Sequence, residues 1–459
     1  MTFRLKLLIM AIIFTMSLTT VSTAENTHDG TQPQSPSYTL NDLYSMALDQ
    51  AENIKRAKED LFIAQKDKQR ALSVLIPRFT AFGNYNLGDN DQTTHDPSGS
   101  SGYPPELNLK TDSMAWGLRL EQSFTLNGKE LIALDISKDY IEKSNFDLTT
   151  AKETYLFQVA SVYYSVLRAS KGWEIATASV KRLEKHRDAV STRLKLEDVT
   201  KTDMFRAESE LSDARAKLVE DKNTYLYTKA ALRSLVNLPL DFTLQEPIGK
   251  VQPSSGFDLE GLKEEGLINR SEIKSAKRLR IVSEKNVKLS KGDYWPTLSL
   301  EGQYAKKDES FTGTLDYDQD SSGYLVGVNL NFTLFDGGLR NAEIKQSMAR
   351  EQQARLVLSE ISKQVALEVE EAYLQLVTQK GRLTALNDKL SFSRQNFMAV
   401  SEQFKHGLSN SVDMMDANTL LVSAERELSD ARFGYKLAFL KLQRATGTFL
   451  RETVSELSN

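Results

Sequence analysis

The residues of this sequence best placed to do chemistry are carboxylates that open helical segments. Asp203 follows Thr200 by three positions and Asp413 follows Asn410 by three, the spacing at which a side-chain oxygen and a carboxylate satisfy each other's backbone N–H groups at a helix start. Asp416 lies one turn further in, where no cap is needed, and shares a helix face with Asp413. Carboxylates gathered this way repel one another and attract cations, but make and break no bonds unaided. Among the histidines, His28, His95, His186 and His406, no two stand at metal-ligand spacing, and the sequence has no cysteine, no phosphate-binding glycine loop and no nucleophile elbow. His186 lies near a helical seam and His406 at a helix tip, positions of packing and solvation rather than ligation. A protein that is not an enzyme, with no cofactor and no metal, is expected.

The elements that hold these carboxylates follow an export signal. Residues 1–24 combine basic Arg4 and Lys6, an apolar stretch over 7–18 and the small residues Val21-Ser22-Thr23-Ala24 at a cleavage site. The stretch is shorter than the roughly 20 residues that cross a bilayer as a helix. Glu25, not Cys, follows the cut, so no lipid anchor is expected. No later run of about 18 apolar residues occurs, which leaves strands as the only means of crossing a membrane. A net charge of −4 built from abundant charges of both signs argues against a nucleic-acid surface. Charged residues at 26% with 23 Gly and 10 Pro suit long solvated helices.

The chain is one unit written twice. Tyr38-Thr39-Leu40, Leu43, Leu48, Ile54 and Ala57 return as Phe257-Asp258-Leu259, Leu262, Leu267, Ile273 and Ala276, a shift of 219. Trp116, Leu118, Leu120, Phe124 and Leu126 match Tyr324, Val326, Val328, Phe332 and Leu334 at a shift of 208, so the first copy holds 11 extra residues in an intervening loop. Val159, Tyr163, Asp203, Ala207 and Leu211 match Val369, Tyr373, Asp413, Ala417 and Leu421 at 210. The expected division is a flexible segment over 25–37, a first repeat over 38–245, a linker over 246–256, a second repeat over 257–450 and a tail over 451–459.

Each repeat reads helix, strand, strand, very long helix, return helix, giving a mainly α protein with a small β part. The helices are expected over 40–74, 127–197 and 202–236, and again over 258–291, 338–406 and 412–446. A helix of about 70 residues spans about 100 Å, so two shorter helices stack end to end beside each long one. In the last helix Met414, Ala417, Leu421, Ala424, Leu428, Ala431, Tyr435, Ala438, Leu442 and Ala445 alternate three and four steps without a break. That repeat makes an antiparallel, left-handed coiled coil.

Between the first two helices of each repeat the period changes to two. Strands are expected over about 77–86, 115–126, 296–304 and 323–335, joined by polar loops over 88–109 and 306–323. Trp116, Leu118, Leu120 and Phe124 alternate with Gly117, Arg119, Glu121 and Ser123; Tyr324, Val326, Val328 and Phe332 fall on the same beat of the second copy. Apolar-out, polar-in strands mark a transmembrane barrel with a wet lumen, the apolar set meeting outer-membrane lipid. Alternation alone also fits a sheet packed on a soluble core. Four strands cannot close a pore, since the smallest membrane barrels have about eight, so several chains must share one barrel. The other class of protein that the helices fit is a soluble periplasmic coiled-coil adaptor or scaffold, which leaves the strands unexplained.

The two-copy layout, the strand end Phe332-Thr333-Leu334-Phe335-Asp336-Gly337-Gly338, and the Gly407-Leu408 turn leading into Val412-Asp413-Met414-Met415-Asp416-Ala417 resemble the TolC family of outer-membrane channel proteins. The resemblance covers about 38–450. It implies a homotrimer in the outer membrane that extends into the periplasm, with a trimer-shared β-barrel continuing into a helical tunnel. A periplasmic adaptor and an inner-membrane transporter would engage it as the passive exit duct of a tripartite efflux pump or a type I secretion system. It further implies that Asp413 and Asp416, with Asp203 in the first repeat, narrow the periplasmic entrance and bind cations. Adaptor contacts are implied at the helix tips, at Gly407 and Leu408 and at the corresponding Glu197 and Asp198. The first tip has Glu197-Asp198 where the family has Gly-Leu, and Ser409 stands where an Arg that ties the tip shut is expected.

Overall fold

The computed structural model describes residues 36–92, 107–246, 258–313 and 317–457. The expected signal peptide, nearly all of the segment over 25–37 and of the linker, and the middles of both strand-joining loops lie outside the described residues.

Strand β1 (Ser37–Tyr38) leads into α1 (Leu40–Gln50) and α2 (Glu52–Ser73). Thr39 and Asp42 start α1 as a capping box: Asp42 N–H donates to Thr39 Oγ1 at 3.2 Å and Thr39 N–H donates to Asp42 Oδ2 at 2.8 Å. Strands β2 (Arg78–Gln92) and β3 (Leu107–Thr125) come next, then α3 (Lys129–Lys195), α4 (Lys201–Val236) and β4 (Thr243–Leu244), which pairs in parallel with β1. The order returns with α5 (Leu259–Asn269), α6 (Ser271–Lys291), β5 (Thr297–Gly313), β6 (Tyr317–Asn331), α7 (Leu339–Lys405) and α8 (Ser411–Thr446); α9 (Phe449–Leu457) follows. Both long helices have 67 residues and both return helices 36.

Three expectations are corrected. The first helix of each repeat is two helices, broken at Ala51 and Arg270, where ψ reaches 122° and 126°. Neither site is a Pro or Gly. The break at Arg270 comes from packing, because Gly447 at the end of α8 sits so close that a Cβ there would lie 2.9 Å from the Arg270 nitrogen. The strands run well past the expected ends into the polar segments read as loops, while β6 stops one residue before Phe332. Part of the expected tail belongs to α9, whose Phe449 is fully buried and meets the rings of Tyr44 and Phe157 edge-on.

The sheet runs β2-β3-β5-β6, antiparallel throughout. Its register places an apolar set on one face: Ala81, Leu118, Tyr304 and Tyr324 lie in one cross-strand row, and Phe79, Leu120, Gly302 and Val326 in the next. The other face carries Thr80, Arg119, Gln303, Ser123, Ser299 and Asn329, with Phe82 and Leu325 as apolar exceptions. On the apolar face the hydrophobic set reaches Leu87 on β2 but stops at Tyr304 and Tyr324 on β5 and β6, beyond which Lys306, Asp308, Asp320 and Ser322 follow. A band running obliquely across the strands is what strands tilted through a bilayer need. Trp116, Tyr304 and Tyr324 line its upper margin, the first two edge-to-face and the last two tilted, at 6.2 and 5.0 Å between centroids.

The helices form one open strip beneath the sheet. Toward the sheet, α3 lies between α2 and α6, and α6 packs on to α7; away from it, α3 packs on α4 and α8, and α8 on α7. Every seam residue named for α8 is buried. The largest core lies where α1, α3, α4 and α9 meet, around Leu43, Leu156, Tyr163, Leu232, Phe242 and Phe449. Full burial of each such side chain contributes about 1.5–3 kcal/mol. Among the described residues no helix is long and apolar enough to cross a membrane.

Candidate functional site

The predicted carboxylates sit at the two hairpin tips furthest from the sheet. Each long helix ends in the same turn. Asp198 N–H donates to Arg193 C=O at 3.0 Å, and Leu408 N–H to Gln403 C=O at 2.9 Å, the long-range bond that closes a Schellman motif. The residue inside each turn is left-handed: Gly407 at φ 74° and its counterpart Glu197 at φ 61°. Glycine adopts that conformation freely and glutamate does not. Glu197→Gly is therefore expected to stabilise the protein and Gly407→Ala to destabilise it, each by about 0.5–1 kcal/mol in thermal unfolding; equal effects of one sign would contradict this.

Both expected capping boxes are formed. Asp203 N–H donates to Thr200 Oγ1 at 3.2 Å, and the Thr200 hydroxyl and N–H donate back to Asp203 Oδ2 at 2.7 and 3.0 Å. Those two donors hold the Asp203 carboxyl below the ordinary carboxylate range. At the second tip Asp413 N–H donates to Asn410 Oδ1 at 2.9 Å, and Asp413 Oδ2 accepts from Asn410 N–H at 3.2 Å. Ser409, in the place of the expected Arg, donates to the same oxygen at 3.1 Å. Asp413 and Asp416 are both exposed, as are Glu197, Asp198, Gly407 and Leu408. Leu408 is an apolar side chain with 79% of its surface open.

The two tips are tied together by residues that no sequence motif marked. Arg193 on α3 donates to Asp198 at 2.7 Å and, through Nη1, to the Phe404 carbonyl of the other hairpin at 3.1 Å. The Phe404 ring has that guanidinium 4.9 Å from its centroid and the His186 ring at 4.8 Å. His186 is 4% exposed and shares a 2.9 Å hydrogen bond with the Ser411 hydroxyl. Burial pushes its pKa down to about 4, so it is neutral at neutral pH. Further up, Arg182 donates to Asn418 Oδ1 at 2.9 Å and lies 3.6 Å from Glu425, while Asn418 donates to Ser179 at 3.3 Å. Arg426 on α8 pairs with Asp221 on α4. Polar pairs thus recur along the seam between the hairpins, beside the apolar packing of Phe404 on Val190 and Ala207. A signal for these pairs existed: Ser179, His186 and Arg193 on α3, like Ser411, Asn418 and Glu425 on α8, recur every seventh residue, one stripe of a coiled-coil helix.

Of the apolar strand residues, Trp116, Leu118, Leu120, Tyr324, Val326 and Val328 are exposed on one face of the sheet, Phe124 is half-buried on that face, and exposed Phe332 follows the end of β6.

Comparison with known proteins gives this geometry its context. The family model described as Outer membrane efflux protein matches residues 43–238 and again 262–448. The chain is 22% identical over 392 residues to the outer membrane protein TolC of Vibrio cholerae, spanning 84% of this chain and 85% of that one. It is 23% identical over 416 residues to the alkaline protease secretion protein AprF of Pseudomonas aeruginosa, covering 89% and 84%. Its fold is similar to that of the outer membrane protein VceC of Vibrio cholerae, with a TM-score of 0.74 and 18% identity over 89% of this chain and 96% of that one. The Campylobacter jejuni CmeC outer membrane channel has a TM-score of 0.78 and 16% identity, covering 92% and 89%. Two family matches in succession, together covering most of the chain, establish that it is an outer-membrane protein and belongs to the outer membrane efflux protein family.

Proposed function

We propose that the chain is one subunit of a passive exit duct, in which copies join edge to edge into a β-barrel in the outer membrane and a helical tunnel in the periplasm. The observation that carries this reading is the open strip. The sheet ends in β2 on one side and β6 on the other, and the helices end in α2, and further from the sheet in α4, on one side and in α7 on the other. Unpaired strand edges in lipid leave backbone groups unsatisfied at several kcal/mol each. Both helical edges also expose apolar residues, Phe62 and Ile63 on α2, and Leu367 and Leu374 on α7. A head-to-tail contact between unlike edges closes into a ring. Three copies, the number implied by the resemblance, supply twelve strands, above the minimum of about eight.

In this arrangement the apolar face meets lipid and the polar face lines the lumen. The strand extensions past Tyr304 and Tyr324 stand above the bilayer, where both faces are wet and a ladder needs no apolar side chains. The tips face the inner membrane. Gly407-Leu408 and Glu197-Asp198 offer the surface for a periplasmic adaptor, and an inner-membrane transporter chooses the cargo. Relatives named for efflux, protease secretion and pyoverdine export support a duct that carries small molecules or polypeptides.

At the entrance, ring symmetry gathers copies of Asp413, Asp416 and Asp203 around one axis. Two carboxylates about 6 Å apart repel by about 0.7 kcal/mol in water and several-fold more in a narrow throat, so cations are drawn in and divalent cations block. Single-channel recording of the Asp413→Ala, Asp416→Ala double variant is expected to show reduced cation selectivity and weaker divalent block. Selectivity and block equal to the parent's would end the assignment of a gate to these residues.

A further inference from the structure

On the polar face of the sheet one arginine is held from four sides. Arg119 Nε donates to Gln303 Oε1 at 3.0 Å and lies 3.5 Å from Glu301 Oε1, and its Nη1 donates to Glu121 Oε1 at 3.4 Å. Its guanidinium carbon is 5.4 Å from the centroid of the Phe82 ring. That ring lies over Gly117, where a Cβ would clash first with the Tyr304 carbonyl of the neighbouring strand and then, at 2.8 Å, with Phe82 Cζ. The missing side chain of Gly117 thus lets Phe82 lie across the sheet and support the arginine. Glu121 and Glu301 are direct cross-strand partners, a placement in which like charges repel, and Arg119 bridges them. Arg78 is the partner of Glu121 on β2. An exposed arginine with one carboxylate is mobile and contributes little. Between two carboxylates, an amide and a ring, its charge is fixed in place.

We propose that Arg119 sets ion selectivity within the barrel, as the cationic member of a charged belt that is separate from the carboxylates at the helical tips. The inference rests on the reading that the polar face lines a lumen. In a closed ring the belt recurs once per chain, and rings of charged side chains govern which ions pass. With Arg78 and Arg119 set against Glu121 and Glu301, the belt is neutral. Removing the Arg119 charge leaves it negative in every subunit. Removing the Glu301 charge leaves it positive.

The test is the reversal potential of the full channel in a potassium chloride gradient at low salt. Arg119→Gln is expected to raise the potassium-to-chloride permeability ratio about twofold and Glu301→Gln to lower it about twofold, both effects shrinking in 1 M salt. Arg119→Lys, which keeps the charge and loses the forked hydrogen bonds, is expected to stay near the parent ratio. Unchanged ratios in both neutralised variants overturn the proposal; so does an Arg119→Lys ratio equal to that of Arg119→Gln, which would make the role structural. Should Arg119→Gln fail to assemble, Glu301→Gln alone decides. The chain has no cysteine, so single thiols separate this proposal from the reading beneath it. Ser299→Cys on the polar face should react with a charged thiosulfonate and lose current, while Leu298→Cys should not. If Ser299→Cys is inert and Leu298→Cys reacts, the lumen reading falls. If Ser299→Cys reacts and Arg119→Gln is without effect, only the selectivity role falls.

Discussion

Val328→Arg should sharply reduce the amount of folded protein in the outer membrane, while Asn329→Arg, one residue along the same strand, should leave it near the parent level. Val328 lies on the apolar face midway between Tyr324 and Phe332, with Leu300 as its cross-strand partner. An arginine at the midplane of a lipid-facing strand costs about 2–4 kcal/mol, and a ring bears that cost once per subunit. Asn329 points to the other face, beside Ser299, where a charge stays hydrated. Heat-modifiable mobility of membrane extracts reads the difference. Equal loss in both variants would mean that strand integrity, not the side of the sheet, is what matters.

Arg270→Ala should lower unfolding stability by about 3 kcal/mol, the low end of the cost of stripping a buried ion pair of one partner, because the half-buried carboxylates of Glu272 and Glu368 keep some contact with water. Arg270 is 5% exposed and makes a forked pair with Glu272, both bonds at 2.9 Å, a 3.0 Å bond to Glu368 on α7 and a 3.4 Å bond to the Arg444 carbonyl at the end of α8. One side chain therefore joins α6, α7 and α8 at the break between α5 and α6. Arg270→Lys should recover little, because an ammonium cannot make the fork. Full recovery by lysine would contradict the geometric account. Glu153 on α3 lies in the same charged neighbourhood and behaves in the opposite way. Burial first, then the charge of Glu272, raises its pKa to about 7 against the smaller pull of Arg270, Arg444 and Lys274. The folded state thus keeps a proton that the unfolded chain releases near pH 4.5, so stability falls as pH rises from about 4.5 to about 7. Glu153→Gln should remove that decline and be the more stable protein above pH 7, by a margin on the order of 3 kcal/mol. Parallel pH profiles for variant and parent would refute the assignment.

Much of this architecture was legible in the order of residues because its two main devices are periodic. A period of two survives in Trp116, Leu118 and Leu120 because one face of the sheet is apolar along that segment, and the ten-residue seam of α8 reads as a coiled coil because every position is buried. The capping boxes at Thr200 and Asn410 are local, so their chemistry is written within a few residues. The breaks at Ala51 and Arg270 were not legible. No Pro or Gly stands at either, and the cause at Arg270 is the end of α8, which is remote in sequence. The upper halves of the strands read as loops since Asp, Ser and Lys dominate them; main-chain pairing holds them without a hydrophobic face. The tie between the tips was hidden for a similar reason: Arg193 and Phe404 belong to different hairpins, and their contact runs through a backbone carbonyl.

The central claim is that one chain is an incomplete wall. Native mass measurement of the detergent-extracted protein, together with its conductance in planar bilayers, tests it most directly. A particle of three subunits that forms discrete, ohmic channels is the predicted result; a monodisperse single chain that stays in water without detergent and passes no current would contradict it.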